Sequence, residues 1–189
     1  MNSLFKAGLE IQSYLNSKKW RFCFIGGLTV IRWGEVRMTQ DIDLCILSGF
    51  GNEKKYIDSL LGRFKSRIAD AEEFAITNRV MLLTASNDVP LDITLSGLPF
   101  EKQMIDRATP FLYAPDCSLL TCSAEDLIVL KAFADRAQDW IDVRGIIARQ
   151  KGQLDIEYIF KNLTPLCELK ESADILDNLQ NILKIQNNK

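Results

Sequence analysis

The chain has 189 residues, 47% of them hydrophobic and 25% charged, a balance typical of a protein that buries a core and unlike that of a disordered chain. Its formal net charge of −2 argues against a surface designed as a whole for nucleic acid. The sequence contains no histidine, which excludes catalysis by a histidine base and zinc sites built on histidine.

Helical and strand patterns alternate in the first two thirds of the chain. We predict an amphipathic helix over Ser3–Ser17, then a strand, a glycine turn and a short helix. A second strand precedes a predicted helix over Glu53–Ile68, and two further strands flank a polar turn, as in a β-hairpin. The four predicted strands are RFCFI at 21–25, DIDLCIL at 41–47, RVMLLT at 79–84 and PLDITL at 90–95.

A short helix over Pro99–Arg107 and an extended piece, PFLYAP, complete this part. From Ser123 onward the patterns are helical only, with Ser123 and Asp126 resembling a capping box. We predict one long helix from there to about Arg149, and two more near 155–162 and 173–185. The expected fold is α/β (α+β): a mixed sheet flanked by helices over residues 1–120, and a C-terminal helical region over 121–189 packed on that core.

Neither targeting nor disulfide chemistry is indicated. The N-terminal sequence MNSLFKAGLE lacks the features of a signal peptide, and no apolar run approaches the ~18 residues of a membrane span, so we expect a cytoplasmic protein. The five cysteines form no C-x-x-C pair and are expected to be core residues. Basic clusters such as Arg63, Lys65 and Arg67 fit a solvated helix face or a local anion-binding patch.

Two aspartates stand in a segment that otherwise has the pattern of a buried strand. Asp41 and Asp43 alternate with apolar residues, so they point to one face, with Cα atoms roughly 6.5 to 7 Å apart. Such a pair can share a hard divalent cation, or it can simply face solvent. Asp92 lies between Leu91 and Ile93 and so has the same alternation of an aspartate with apolar residues. If the two strands are neighbours, the three aspartates form a three-carboxylate metal site.

Gly26 and Gly27 separate a strand from a short helix. A glycine turn of this kind exposes backbone N–H groups and the positive end of the helix, which suits the phosphates of a nucleotide. An ordinary tight turn is the alternative.

These features occur in an order that resembles the nucleotidyltransferase superfamily of DNA polymerase β. The pattern is Gly-Gly, a short helix, Arg-x-Thr-x-Asp-x-Asp in RMTQDIDL, and a lone aspartate in a later strand. Within that superfamily the chain is most similar to the AbiEii-type group, the enzyme half of many bacterial toxin–antitoxin and phage-defence systems.

The resemblance implies a function for each of these residues. It implies a nucleotidyltransferase-like mixed α/β core and a nucleoside triphosphate bound at the glycine turn and by Arg37 and Thr39. It also implies Mg²⁺, two ions in all, held by Asp41 and Asp43. Asp92 would be the third carboxylate, which helps to deprotonate an acceptor hydroxyl.

A second signature of that group lies in LKAFADRAQDWIDVRGI. The matching residues are Lys131, Ala134, Arg136, Asp139 and Asp142. On one continuous helix, a charged stripe would consist of Lys131, Asp135, Asp139 and Asp142. Lys131 could then contact a triphosphate while the aspartates hold Lys131 or Arg136, or the stripe could be a solvated face with weak ion pairs. The expected apolar stripe beside it consists of Leu127, Leu130, Ala134 and Ile141.

One position departs from the resemblance, which covers about residues 22–147. Trp33-Gly34 stands where the group often has a His-Gly pair, so no role of that histidine carries over.

The expected activity is Mg²⁺-dependent transfer of a nucleoside monophosphate from an NTP to a hydroxyl acceptor. RNA such as a tRNA 3′ end, a protein and a small molecule are the candidate acceptors, and an antitoxin protein is a candidate partner. Two alternatives stay open: a module of the same fold that binds nucleotide or a partner without turnover, and a small-molecule nucleotidyltransferase of the antibiotic-modifying kind.

Overall fold

The computed structural model describes residues 2–187, with side chains as far as residue 185. Contacts divide the chain into two compact units, Met1–Leu28 with Met38–Cys122 and Thr29–Arg37 with Ser123–Lys189. The helix α2 (Gly26–Trp33) is divided between them after Leu28. Within residues 2–187, every helix falls short of the length and apolar character that a membrane crossing demands.

The first unit contains the sheet and four further helices. Its strands are β1 (Phe22–Phe24), β2 (Ile42–Leu47), β3 (Lys65–Ser66), β4 (Val80–Thr84), β5 (Pro90–Ser96), β6 (Thr109–Ala114) and β7 (Cys117–Thr121). Its helices are α1 (Ser3–Ser17), α3 (Glu53–Leu61), α4 (Ala71–Asn78) and α5 (Pro99–Arg107). Within the described residues these strands form one seven-stranded sheet in the order β3-β4-β5-β2-β1-β7-β6.

The sheet is mixed, as predicted. The pairs β2–β5 and β1–β7 are parallel, while β1–β2, β3–β4, β4–β5 and β6–β7 are antiparallel. The predicted hairpin of β4 and β5 is confirmed, and α1 and α5 have the predicted bounds.

One face of the central strands is buried in the core of the first unit. Ile42, Leu44 and Ile46 of β2 have no exposed surface, and Leu91 and Ile93 continue the same apolar face on β5. Helix α1 approaches this face closely, because a side chain at Gly8 would lie 2.9 Å from Leu119. Burial of these side chains, at roughly 1.5–3 kcal/mol each, fixes which face of each strand points inward.

The second unit consists of helices and the segment Thr29–Arg37. Its helices are α6 (Ala124–Ala134), α7 (Ala137–Arg149), α8 (Ile156–Lys170) and α9 (Asp174–Asn187). Helix α7 holds that segment: the Arg149 side chain donates to the Gly34 carbonyl over 2.6 Å and the Gln150 amide to the Trp33 carbonyl over 3.0 Å. The prediction that the chain is helical from Ser123 onward is confirmed.

The prediction of one long helix to Arg149 was wrong. Asp135 adopts a left-handed conformation with φ of 59° and ends α6, and Arg136 is the extended residue before α7. A left-handed residue turns the chain away from the helix axis, so Lys131 and Asp142 lie on different helices. Two members of the expected apolar stripe, Ala134 and Ile141, are exposed.

The predicted helix over Glu53–Ile68 was also too long. It ends at Leu61, and Lys65–Ser66 form β3, the edge strand of the sheet. Strands β3 and β7 and helix α4 were not predicted from the sequence. Arg79 ends α4 in the left-handed conformation, and its side chain donates to the carbonyls of Gly49 and Leu95 over 2.9 and 2.6 Å.

All five cysteines of the chain lie within the described residues, and all are free and buried, as predicted. Burial, together with the nearby carboxylates of Glu101 and Asp43, raises the pKa of the Cys45 thiol to about 12. These thiols therefore belong to the core of the protein.

The cap of α6 offers a stability test. Ser123 Oγ accepts from the Asp126 amide over 3.1 Å and donates to the fully buried Asp126 carboxylate over 2.8 Å. We expect Ser123→Ala to lower the free energy of unfolding by about 1–2 kcal/mol, measured by urea denaturation. Ser13→Ala, on the exposed side of α1, should change it by less than about 0.5 kcal/mol. Equal stabilities for the two variants would contradict this role.

Candidate active site

The register of β2 and β5 brings two predicted site residues together. Asp43 pairs directly with Asp92 in this parallel ladder, with Ile42 opposite Leu91 and Leu44 opposite Ile93. Residues directly opposite each other share a face, so both carboxylates project from the face opposite the core. We call this the site face of the sheet.

Asp41 completes the group from the position just before β2. Thr39 donates from Oγ1 to Asp41 Oδ1 over 2.9 Å. Asp41, Asp43 and Asp92 each offer one carboxylate oxygen, and these three oxygens lie within 4.8 Å of one another. All three residues are partly buried. Carboxylate oxygens gathered in this way suit a hard cation such as Mg²⁺ or Mn²⁺, so the residues fit the metal that the sequence resemblance implies.

The charges around Asp92 are balanced by a residue that the sequence analysis did not place in the site. Burial and the neighbouring Asp41 carboxylate raise the pKa of Asp92, while the Arg67 guanidinium beside it acts in the opposite direction. Arg67 follows β3 directly and donates to Asp92 Oδ1. Its alternation with Lys65 could have indicated this position, but the helix predicted over Glu53–Ile68 hid the strand.

The glycine pair makes room for Asp43. Helix α2 begins at Gly26 itself, where φ is +63°, and the Asp43 carboxylate occupies the space that a Cβ atom at Gly26 would need. The Gly27 amide donates to Asp43 Oδ2 over 3.4 Å, and the Thr39 hydroxyl lies where a Gly27 side chain would be. Close approach therefore requires glycine at both positions, and the positive φ is a second requirement at Gly26.

The residues of the second signature form a cluster of charges within the second unit. Lys131, almost fully buried, lies 3.0 Å from Asp139 Oδ1 and 2.7 Å from Asp142 Oδ2. Arg136 is largely exposed and donates from Nε to Asp139 Oδ2 over 2.6 Å. We call these four residues, with Arg37, the Lys131 cluster.

Arg37 connects the two sequence signatures. Its guanidinium holds Asp142 with two hydrogen bonds, from Nε to Oδ1 over 2.9 Å and from Nη2 to Oδ2 over 3.0 Å. This paired geometry is the strong form of an arginine–carboxylate contact. The first residue of the Arg-x-Thr-x-Asp-x-Asp pattern is thus bound by the last residue of the second signature.

The aspartates of the Lys131 cluster are held in the ionised form. Burial alone would favour the neutral acid, but hydrogen bonds from Arg136 and Lys131 lower the pKa of Asp139. For Asp142, burial is likewise outweighed by Arg37 and Lys131, and its pKa is also lowered. Removing one partner from a buried ion pair leaves the other charge uncompensated, so the stability of the cluster depends on its pairing.

The predicted site residues thus fall into two groups, each described within its own unit. Asp41, Asp43 and Asp92 share the site face with the glycine pair and Thr39 close by. The second group consists of Arg37, Lys131, Arg136, Asp139 and Asp142.

Fold and site together define a nucleotidyltransferase-like protein, and solved structures agree on the fold. An antigenic nucleotidyltransferase-like protein from Paracoccidioides brasiliensis matches with a TM-score of 0.50 at 16% identity, over 92% of this chain and 90% of that chain. The lincosamide antibiotic adenylyltransferase LnuA, solved with lincomycin bound, matches with a TM-score of 0.52 at 18% identity, over 77% of this chain and 98% of that chain. At such identities the likeness is one of fold.

The sequence itself shows the family. The family model described as "Nucleotidyl transferase AbiEii toxin, Type IV TA system" matches residues 15–164, and the chain belongs to this family. The resemblance predicted from the two signatures is confirmed, and the match extends beyond residues 22–147 at both ends. No curated protein matches the sequence. Membership in the AbiEii family identifies the general class of reaction as nucleotidyl transfer.

The contact between Gly26 and Asp43 can be tested against a matched glycine. Gly49 also has a positive φ, +71°, but nothing lies within 4 Å of a Cβ atom there. Gly26→Ala and Gly49→Ala should each lose at least about 1 kcal/mol of stability in urea denaturation, because alanine is strained at positive φ. Only Gly26→Ala should also weaken Mn²⁺ binding, followed by electron paramagnetic resonance, since it displaces Asp43. Equal Mn²⁺ affinity in the two variants would contradict the assignment.

The lowered pKa values in the Lys131 cluster make stability depend on pH. In the unfolded chain an aspartate takes up its proton near pH 3.9, whereas Asp139 and Asp142 in the folded protein do so at lower pH. The contribution of these two carboxylates to the free energy of unfolding is therefore complete above about pH 5. It is lost as the pH falls through their pKa values in the folded protein.

We expect Asp142→Asn to lose roughly 3 kcal/mol at pH 7, because it breaks a buried ion pair. Below pH 5 its stability should fall less steeply than that of the wild type, as measured by urea denaturation at a series of pH values. Asp116→Asn, in an exposed turn, should retain the wild-type slope. A slope unchanged by Asp142→Asn would show that Asp142 does not contribute to acid unfolding.

Proposed function

We propose that this protein transfers a nucleoside monophosphate from an NTP to the hydroxyl group of an acceptor and releases pyrophosphate. The observation that carries the proposal is the convergence of Asp41, Asp43 and Asp92 on the site face, beside a glycine pair that opens a helix. Membership in a nucleotidyltransferase family supports the class of reaction.

Asp41, Asp43 and Asp92 are the residues that would hold Mg²⁺, two ions in all. Their oxygens lie within 4.8 Å of one another, so the three carboxylates can serve together as ligands of a divalent cation. When bound, Mg²⁺ would lower the pKa of the attacking hydroxyl and offset charge on the triphosphate. Thr39, through its hydrogen bond to Asp41, fixes the direction of one of these carboxylates.

In the proposed step, the acceptor hydroxyl oxygen attacks the α-phosphorus of the NTP. A new P–O bond forms, the bond from the α-phosphorus to the oxygen that bridges to the β-phosphate breaks, and pyrophosphate leaves with that electron pair. The hydroxyl proton passes to Asp92. Asp92 is the proton acceptor in this proposal because it is the third carboxylate of the group and pairs directly with Asp43 across the sheet.

We propose that the start of α2 binds nucleotide, and we separately propose nucleotide binding for the Lys131 cluster of the second unit. The first turn of α2, at Gly26 and Gly27, supplies backbone N–H groups and the positive end of a helix. Lys131 Nζ lies 3.0 and 2.7 Å from the carboxylates of Asp139 and Asp142, and a lysine ammonium can bind phosphate as a point charge. Arg37, Arg136, Asp139 and Asp142 hold the lysine in place through their shared ion pairs.

The acceptor and the biological setting are a further part of the proposal. We take RNA, for example a tRNA 3′ end, as the first acceptor to test, then protein and small molecules. The family description, a toxin of a type IV toxin–antitoxin system, supports a toxin that is paired with an antitoxin.

The test incubates the purified protein with Mg²⁺, each α-labelled NTP in turn, and either total RNA or cell lysate. We expect label in one acceptor fraction, and at least about 100-fold less with Asp43→Asn, because a metal ligand is lost. Asp116→Asn, an exposed aspartate of the same chain, serves as the matched control and should transfer as the wild type does.

Three outcomes separate the alternatives. Label in RNA, protein or small molecules identifies the acceptor class. Absence of transfer to any fraction, or equal transfer by Asp43→Asn and wild type, contradicts the proposal. Nucleotide binding without transfer would identify the protein as a binding module of the same fold.

A further inference from the structure

Arg67 lies at the outer end of a row of residues that crosses the sheet. Its amide donates to the Leu82 carbonyl over 2.9 Å, Leu82 pairs with Asp92, and Asp92 pairs with Asp43. The Arg67 guanidinium donates to Asp92 Oδ1 on the site face. A residue of the edge strand region thus reaches inward to a carboxylate of the candidate metal site.

The contact is better protected than an ordinary surface ion pair. The Arg67 side chain is 32% exposed and that of Asp92 34% exposed, about half the exposure of the surface pair Lys54–Asp58, at 64% and 56%. Exposed pairs of this type contribute little, because solvent screens them and both side chains are mobile. Asp92, by contrast, belongs to β5, which pairs with a strand on each side, β4 and β2.

The backbone on both sides of Arg67 is also fixed. Ser66 belongs to β3, and its hydroxyl accepts from the Ile68 amide over 3.1 Å and donates to the Ile68 carbonyl over 2.7 Å. The backbone of Arg67 itself is held by its amide hydrogen bond to Leu82 of β4. A group that had to leave when a metal binds would be expected on a mobile segment, so this anchoring favours a permanent partner of Asp92.

We infer that Arg67 is a positioning residue: its contact with Oδ1 holds the Asp92 carboxylate in the orientation in which it shares a metal ion with Asp41 and Asp43. The inference rests on the proposed function, because it assumes that the three aspartates bind a cation. Carboxylate ligands of metals are commonly oriented by such hydrogen-bonding partners, and loss of the partner weakens metal affinity 10- to 100-fold as an order of magnitude.

A competing role would have the opposite sign. If Arg67 merely occupied the cation site, its removal would leave a more negative site and would strengthen metal binding. The sign of the change in affinity therefore decides between the two roles.

The experiment measures Mn²⁺ binding to the otherwise metal-free protein by electron paramagnetic resonance and calorimetry, independently of activity. We expect Arg67→Ala to bind Mn²⁺ about 10-fold more weakly than wild type, and Arg67→Lys to recover part of the loss, because lysine keeps the charge but lacks the planar fork. Lys65→Ala is the matched control: Lys65 is exposed on the same face of β3 and should change the affinity less than twofold.

A double-mutant cycle tests whether Arg67 acts through Asp92. In an Asp92→Asn background, Arg67→Ala should have no further effect on Mn²⁺ affinity. Circular dichroism and urea denaturation of each variant identify any change that reflects unfolding, and Arg67→Lys provides the second variant in that case.

The outcomes distinguish this inference from the proposed function. If wild type and Asp43→Asn bind Mn²⁺ equally, there is no aspartate metal site, and both fail. If Asp43→Asn loses binding while Arg67→Ala binds as tightly as wild type or more tightly, the proposed function stands and the inference about Arg67 is overturned. An equal effect of Arg67→Ala with and without Asp92 would overturn it as well.

Discussion

The parallel pairing of β2 with β5 is the constraint on which the candidate site depends. A slip of one residue would turn Asp92 to the core face and leave Asp43 opposite an apolar side chain. That slip is opposed by the fully buried Leu44, Leu91 and Ile93, each worth roughly 1.5–3 kcal/mol in burial. The apolar face thus provides the energy that holds like charges together on the opposite face, where Arg67 and any bound cation offset their repulsion.

The sequence was sufficient for the parts of the site that depend on local alternation. Apolar neighbours around Asp43 and Asp92 correctly assigned the inward face of both strands, since a strand repeats every two residues. The adjacency of β2 and β5 could not be predicted in the same way, because parallel strands are joined by long connections that leave no local signal. Family resemblance supplied what periodicity could not.

The wrongly predicted long helix has a physical cause, which is that a single backbone conformation overrides a helical pattern. Asp135 takes a left-handed conformation that side chains other than glycine rarely adopt, and α6 ends there. An aspartate does not by itself indicate this conformation. The break at Asp135 places Lys131 and Asp142 on two helices, where they form an ion pair. The predicted contact between aspartates and Lys131 is therefore present, although the predicted single helix is not. Arg67 was missed because the helix predicted over Glu53–Ile68 extended across β3 and hid this short strand.

The reactivity of the buried thiols can report where the folded structure opens. Cys23, Cys45, Cys117 and Cys122 are enclosed in the unit that carries the sheet, and Cys167 in the helical unit. A thiol with no accessible surface reacts with an alkylating reagent only when the structure around it opens, so the rate of labelling at each cysteine reports the free energy of that opening. Mass spectrometry of the labelled peptides would separate local breathing around Cys45, two residues from Asp43, from loss of a whole unit. Because each unit contains native cysteines, the opening of each unit can be measured without introducing a labelling site by mutation.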